Sequence, residues 1–156
     1  MEAKVIKSFT LSKQRIVSVD SDKDVFICDI NDNSKKAFFT GSRFKNLYLM
    51  LPDISREVTK ASDGKKVSLK LHLGGAWYLS LSPGIHCVDF RKFYRDSSGQ
   101  IKPTKVGLAL NYSEFNSLMN AAGCIMDEVD GFEAISHCWH ATTEELNACD
   151  ECSPFK

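Results

Sequence analysis

The fold is decided by residues 85–119, which read IHCVDFRKFYRDSSGQIKPTKVGLALNYSEFNSLM. Apolar and aromatic residues recur up to Tyr94, a turn-forming segment interrupts them at residues 96–99, and apolar residues resume at 106–110. Asp, Ser and Gly supply the side-chain hydrogen bonds and positive φ angles of turns, so the pattern predicts two strands joined by a turn. From Tyr112 the apolar spacing becomes helical over residues 112–122, with Asn111 or Ser113 as the N-cap. The stretch is therefore predicted to fold as strand, turn, strand and helix.

The two predicted strands carry cations interleaved with aromatic rings. The cations are Arg91, Lys92, Arg95, Lys102 and Lys105, and the rings are Phe93 and Tyr94. Single-stranded nucleic-acid binding needs both ingredients, because cations follow the phosphate backbone and bases stack on aromatic faces. Adjacent strand residues point to opposite faces, so one of the two rings is expected in the core and Tyr94, with its polar tip, on the surface. The alternative is an ordinary solvated charged face.

Residues 88–111 resemble the core of the positive-cofactor-four transcriptional coactivators. The family pattern of a strand with Asp and Arg, two aromatics, an acidic turn, Lys-Pro and a final Leu-Asn is met by Val88, Asp89, Phe90, Arg91, Phe93, Tyr94, Asp96, Lys102, Pro103, Lys105, Gly107, Leu108, Leu110 and Asn111. Agreement over about 24 consecutive positions is more specific than a short motif. The resemblance implies a curved antiparallel sheet followed by a helix, which pairs with a second copy to grip single-stranded DNA.

An internal repeat is also predicted. Residues 9–19 lie over 71–81 at an offset of 62, residues 25–30 over 85–90 at 60, and residues 46–49 over 107–110 at 61. The first of these segments resembles the family's opening strand, which implies DNA contacts for Lys13 and Arg15. We therefore expect an α+β fold of two tandem βββα units, similar to this family and to the plant Whirly proteins, with curved antiparallel sheets each followed by a helix. The two units would pair as an intrachain pseudo-dimer; the alternative is one mixed sheet.

In this scheme residues 1–63 and 64–123 are the two units and residues 124–156 are a tail. The first unit would have its third strand at 47–49 and Pro52 in the first turn of its helix. It has no cations or rings equivalent to those of the second unit, so one composite groove is expected instead of two equal channels. Trp77 aligns with Arg15 and either stacks on bases or belongs to the core. Five residues of the first unit are expected either to form the second wall of the groove or to lie in the core: Phe38, Phe39, Arg43, Phe44 and Lys45.

The net charge of zero hides an asymmetry between the body of the chain and its tail. Residues 1–123 carry 19 Lys/Arg and 12 Asp/Glu, giving +7, whereas residues 124–156 carry one Lys and eight acids, giving −7. Such a tail either competes with DNA for the groove at high effective concentration or is simply solvated.

The tail also contains a candidate zinc site made of Cys138, His140, Cys149 and Cys152, with His137 as the alternative to Cys138. The two sulfurs of Cys-x-x-C fall close together, as tetrahedral zinc ligation requires. The alternative is reduced, unliganded cysteines, because no apolar signal segment or membrane span is visible and an oxidising compartment is not expected.

No glycine-rich phosphate loop, nucleophile elbow or zinc-protease motif is present, so no enzyme is expected. The sequence predicts a protein that binds single-stranded DNA, with RNA or melted duplex as further ligands, through Lys13, Arg15, Trp77, Arg91, Lys92, Tyr94, Arg95, Lys102 and Lys105. The resemblance implies a role in transcription, replication or repair, in the nucleus or at an intracellular replication site. It also implies transcription or replication proteins as partners, and pairing of two chains is left open. The alternative is a protein-interaction adaptor that keeps the scaffold and uses the acidic tail.

Overall fold

The computed structural model describes residues 4–129, which form two successive ββββα units. The first unit contains β1 (Val5–Thr10), β2 (Arg15–Asp20), β3 (Val25–Asp29), β4 (Lys36–Phe39) and α1 (Gly41–Ser62), and the second contains β5 (Leu69–Gly74), β6 (Trp77–Leu81), β7 (Cys87–Arg95), β8 (Ile101–Asn111) and α2 (Tyr112–Glu128). The strands of each unit form a separate antiparallel sheet in chain order. The predicted α+β class with two antiparallel sheets, each followed by a helix, is confirmed, but each sheet has four strands where three were predicted.

The first unit differs from the prediction at its last strand and its helix. Residues 47–49 were predicted as a strand, but they lie inside α1, where Leu47 and Ile54 face the core. The helix begins after Thr40, whose Oγ1 accepts a hydrogen bond from the Arg43 amide at 3.3 Å, and Pro52 lies in its interior and not in its first turn. The true last strand is only four residues long. Such a short segment carries little periodicity, and the alternating LYL within the helix imitates a strand.

The predicted helix over 112–122 is confirmed and continues to Glu128. Asn111 and Glu114 form a capping box: the Asn111 side chain accepts from the Glu114 amide at 2.8 Å, and Glu114 Oε1 accepts from the Asn111 amide at 2.9 Å. This reciprocal pair satisfies two backbone donors that the helix leaves open. Glu114 Oε2 also accepts from Ser12 Oγ at 2.6 Å, so the cap of α2 holds the β1–β2 turn of the first unit.

The two units share one hydrophobic core. The inner faces of both sheets and both helices contribute to it, and Phe39 of the first unit packs edge to face on Phe90 of the second with ring centroids 5.9 Å apart. The helices contact each other, and Lys7 on β1 pairs with Glu128 of α2 at 3.5 Å. Among residues 4–129, no helix combines the length and the apolarity that a membrane span needs.

Equivalent positions of the two units are separated by more residues than the sequence offsets indicate. Val17 and Leu79 are inner-face residues 62 positions apart, as predicted, but their neighbours Ile27 and Phe90 are 63 apart, not 60. The helix caps Thr40 and Asn111 are 71 apart. The reason is the β7–β8 hairpin, whose strands have 9 and 11 residues, against 5 and 4 in β3 and β4.

Candidate nucleic-acid interface

A groove of about 750 Å³ lies between the outer face of the first sheet and the overhanging end of the second. One wall is formed by Phe26, Lys36 and Phe38 of β3 and β4, and the other by Trp77, Lys92 and Val106 of β6, β7 and β8. We call these six residues the sheet groove. Both units contribute a wall to this concavity, which contains neither Lys13 nor Arg15 of the predicted composite groove.

Strand alternation explains why the first wall has this composition. Along β3, Val25 and Ile27 are buried in the core, so Phe26 points to the opposite, outer face. Along β4, Phe39 is buried and Phe38 is 42% exposed. The register pairs Phe26 with Phe38 directly across the two strands. Two aromatic rings therefore lie side by side on the outer face, where an apolar pair at a wet surface can accept a stacked base.

The sheet groove carries a positive charge. Lys36 and Lys92 are both exposed, and neither forms an ion pair within residues 4–129. One aspartate, Asp20, also lines the groove and accepts hydrogen bonds from the amides of Asp22 and Asp24 at 2.9 and 3.0 Å, so the two lysines and this one aspartate give the lining a net positive charge. The two lysines are thus available to phosphate groups, as the electrostatic part of nucleic-acid binding requires.

Trp77 and Lys92 are the predicted binding residues that line this groove. The indole of Trp77 packs against Phe39 with centroids 6.4 Å apart, and Trp77 is only 7% exposed. Of the two alternatives for Trp77, base stacking or the core, the core accounts for most of its side-chain surface. Its remaining edge belongs to the second wall of the groove.

Arg15 differs most from its predicted role. Its guanidinium pairs with the buried Asp29, the side chain is 13% exposed, and Nη2 donates to the Ala109 carbonyl oxygen at 3.4 Å. The ion pair links β2 to β3 of the same unit, and the hydrogen bond to Ala109 links β2 to β8 of the other unit. Arg15 is therefore engaged by protein partners and exposes little of its side chain to a phosphate.

Two further predicted cations are occupied by neighbouring carboxylates. Arg91 Nε and Nη2 donate to both oxygens of Asp89 at 3.1 and 2.9 Å, and this hydrogen bonding raises the pKa of Arg91. Lys102 pairs with Asp96 at 3.0 Å, and hydrogen bonds from Ser98 and Lys102 lower the pKa of Asp96 to about 2. The Asp89–Arg91 pair joins residues two apart on one strand face, a geometry that follows directly from strand alternation.

The remaining predicted cations lie outside the sheet groove. Lys13, in the β1–β2 turn, and Lys105, in β8, are exposed and form no ion pair with any residue between 4 and 129. Arg95 donates to the Gly99 carbonyl oxygen at 2.8 Å, within the tip of the β7–β8 hairpin. Tyr94 pairs with Lys102 across that hairpin and is 50% exposed, as predicted for the surface ring.

A second aromatic surface lies on the outer face of the second sheet. His72, Tyr78 and Phe93 form a row with ring centroids 4.8 and 4.7 Å apart, and Lys70 Nζ lies 4.4 Å from the Phe93 centroid. A pocket of about 120 Å³ beside this row is also lined by Tyr94. The expectation that one of Phe93 and Tyr94 belongs to the core is wrong, because Phe93 lies half-buried in this row. The alternation itself continues along β7, because Phe93 shares the outer face with Tyr78 and Arg91, and the extra residues of the bulge lie on β8. This end of β7 extends beyond the shared core, so the opposite face at Tyr94 is exposed as well.

Gly107 allows that bulge to form. Its φ is +146°, and a Cβ added there would overlap with the Phe90 carbonyl oxygen and lie 2.8 Å from Arg91 Cα. A residue with a side chain therefore cannot occupy this position without moving β7, which carries Lys92 into the groove.

Residues 84–121 match the family model described as Transcriptional Coactivator p15 (PC4). The matched 38 residues are about a quarter of the 156-residue chain and contain β7, β8 and most of α2. That family is a nucleic-acid-binding, non-enzymatic one that includes binders of single-stranded DNA and transcriptional coactivators. A comparison with curated proteins gave no match. The match supports the predicted resemblance over the second unit, and Lys92, Tyr94, Lys102 and Lys105 all lie within it.

The sheet-groove residues that the sequence analysis missed are Phe26, Lys36 and Val106. Val106 was recognised only as an apolar strand residue. For Phe26 and Lys36, the signal is the alternation of buried and outward residues in VFICD and KAFF, once β4 is recognised as a strand. Phe38, predicted as either wall or core, belongs to the wall, while Phe39 and Phe44 belong to the core. The candidate zinc ligands Cys138, His140, Cys149 and Cys152 lie outside the described residues, and the zinc site stays a prediction.

Proposed function

We propose that this chain binds single-stranded DNA in the sheet groove. The observation that carries the proposal is the joining of two outward rings, Phe26 and Phe38, with two exposed lysines, Lys36 and Lys92, in one concavity. Stacking on the rings and contact with the phosphates are open to any base, so we expect little sequence preference. Single-stranded RNA and melted duplex offer the same chemistry and are weaker expected ligands.

The same proposal extends to the biological setting. The match to the coactivator family supports a role in transcription, replication or repair, with proteins of those processes as partners and a nuclear or replication-site location. We also infer that the two units are a tandem repeat of one ancestral ββββα unit. The equal spacing of 71 between the helix caps Thr40 and Asn111 and between the buried Phe44 and Phe115 supports this inference.

The position of Lys92 in the groove indicates the path that a bound DNA strand would follow. Lys92 belongs to the long β7–β8 hairpin, whose outer part presents Tyr94 and Lys105 to solvent. A DNA strand that leaves the groove past Lys92 would meet Tyr94 and Lys105 next. Tyr94 and Lys105 are therefore proposed as peripheral contacts, whereas Arg15 is left out of the proposed site because of its internal ion pair.

The test is fluorescence anisotropy of a labelled oligonucleotide of about 20 nucleotides, single-stranded or duplex, titrated with the full chain. Phe38→Ala removes an outward ring that is 42% exposed and should weaken single-strand binding by about 5- to 150-fold, because one stacked base is worth about 1–3 kcal/mol. Leu49→Ala is the matched control, since Leu49 is 61% exposed on α1 and outside the groove. Equal binding by wild type and Phe38→Ala would contradict the groove assignment.

A protein-interaction adaptor is the second candidate function. The observation that favours it is the pairing of Arg15, Arg91 and Lys102 with internal carboxylates, which leaves fewer cations for DNA than the sequence predicts. An adaptor should show no single-strand binding even at low salt. Binding that weakens steeply with salt would reject it, because phosphate contacts release counterions.

A further inference from the structure

The described part of the chain ends beside the sheet that forms the groove. Glu128, at the end of α2, pairs with Lys7 on β1 at 3.5 Å, and β1 is the edge strand of the first sheet. On the outer face of that sheet, the row that begins with the Ser8–Ser18 hydrogen bond at 2.9 Å continues through Phe26 to Phe38. Residues 130–156 therefore start at one edge of the sheet whose other edge forms the groove wall.

The length of this segment is ample for the distance. Lys7 is next to Ser8 on β1 and so lies on the opposite, inner face; the segment must pass around β1, about one layer spacing of 10 Å, and then cross three strand spacings to β4, about 14 Å. The 27 residues from 130 to 156 span up to about 90 Å when extended. A small part of the segment is enough to reach Lys36 and Lys92.

The composition of the segment is complementary to the groove. Residues 130–156 carry six acids and one lysine, together with the rings of Phe132, Trp139 and Phe155. Carboxylates next to aromatic rings present the same chemistry as phosphates next to bases. The groove offers the matching partners, namely the exposed Lys36 and Lys92 and the outward Phe26 and Phe38.

We propose that residues 130–156 occupy the sheet groove and compete there with single-stranded DNA. Docking of the segment stands by itself, whereas the competition rests on the proposed function. A short tether gives an effective concentration on the order of 1 mM, so even weak carboxylate–lysine contacts keep the groove occupied. A docked segment that is bound about ten times as often as it is free lowers the apparent DNA affinity about tenfold.

Docking is tested without DNA by zero-length carbodiimide cross-linking of the full chain. This reagent joins carboxylates to amines already in contact, and peptide mapping identifies the pairs. We expect links from acids of residues 130–156 to Lys36 and Lys92, and none to the exposed Lys65 and Lys66. The absence of links to both groove lysines would overturn the proposal.

Competition is tested in the full chain by neutralising four tail acids. The variant carries Glu144→Gln, Glu145→Gln, Asp150→Asn and Glu151→Gln, and its control carries Asp53→Asn, Glu57→Gln, Asp63→Asn and Asp127→Asn. Both change the net charge by the same amount, but only the first should bind the oligonucleotide about three- to tenfold more tightly.

The outcomes separate the two proposals. An equal gain in both variants reflects net charge alone and overturns the competition, as does an affinity unchanged from wild type. Cross-links to Lys36 and Lys92 without DNA binding by any form would retain docking of the segment and reject the proposed function.

Discussion

Replacing Lys36 and Lys92 together by methionine removes the two exposed cations of the sheet groove and keeps most of the length of both side chains. Each cation that neutralises a phosphate on a single strand contributes about 0.7 to the slope of log affinity against log salt. The double variant should therefore lower that slope by about 1.4. Relative to about 1 M salt, each such contact is worth about fivefold at 0.1 M, so the variant should bind about 25-fold more weakly there.

The assay is anisotropy of the labelled single strand over a series of salt concentrations. The wild-type and variant curves should converge near 1 M salt, because the lost term is electrostatic. The control is Lys65→Met with Lys66→Met, which removes the same charge from two exposed residues between α1 and β5. An unchanged slope, or a loss of affinity equal at all salt concentrations, would refute the assignment of Lys36 and Lys92 to phosphate contacts.

Three further predictions concern the residues that support the groove. Gly107→Ala should lower the free energy of unfolding by at least about 2 kcal/mol in urea denaturation, since its Cβ would overlap with the β7 backbone; a change below about 0.5 kcal/mol would contradict the close approach. Arg15→Met should cost about 3 kcal/mol of stability because it leaves Asp29 buried without its partner, yet the salt slope for single-strand binding should stay at the wild-type value. Burial raises the pKa of the Cys28 thiol, which borders the groove, so a maleimide should label this thiol slowly. Bound oligonucleotide should slow the labelling of Cys28 further but should not protect the exposed Cys124. Equal protection of the two thiols would argue against binding in the groove.

The sequence alone was sufficient for the local elements of the second unit. The turn at Asp96 and the helix cap at Asn111 rest on side chains that bond to the backbone within a few residues, so composition and spacing identify them. The same applies to the resemblance of residues 88–111, which is confirmed in part by the family match over 84–121. The short strand β4 escaped prediction because four residues carry too little periodicity.

The cations available to a ligand were decided only by the tertiary structure. From the sequence, Arg15 and Lys92 are equivalent surface cations, but Arg15 is neutralised by Asp29 on the next strand, while Lys92 projects into a groove closed by Phe38 from the other unit. Periodicity fixes the face of a strand on which a side chain lies, because that depends on the nearest residues. Which sheet edge covers that face, and which carboxylate reaches the cation first, depends on how distant strands pack, and no local pattern records it.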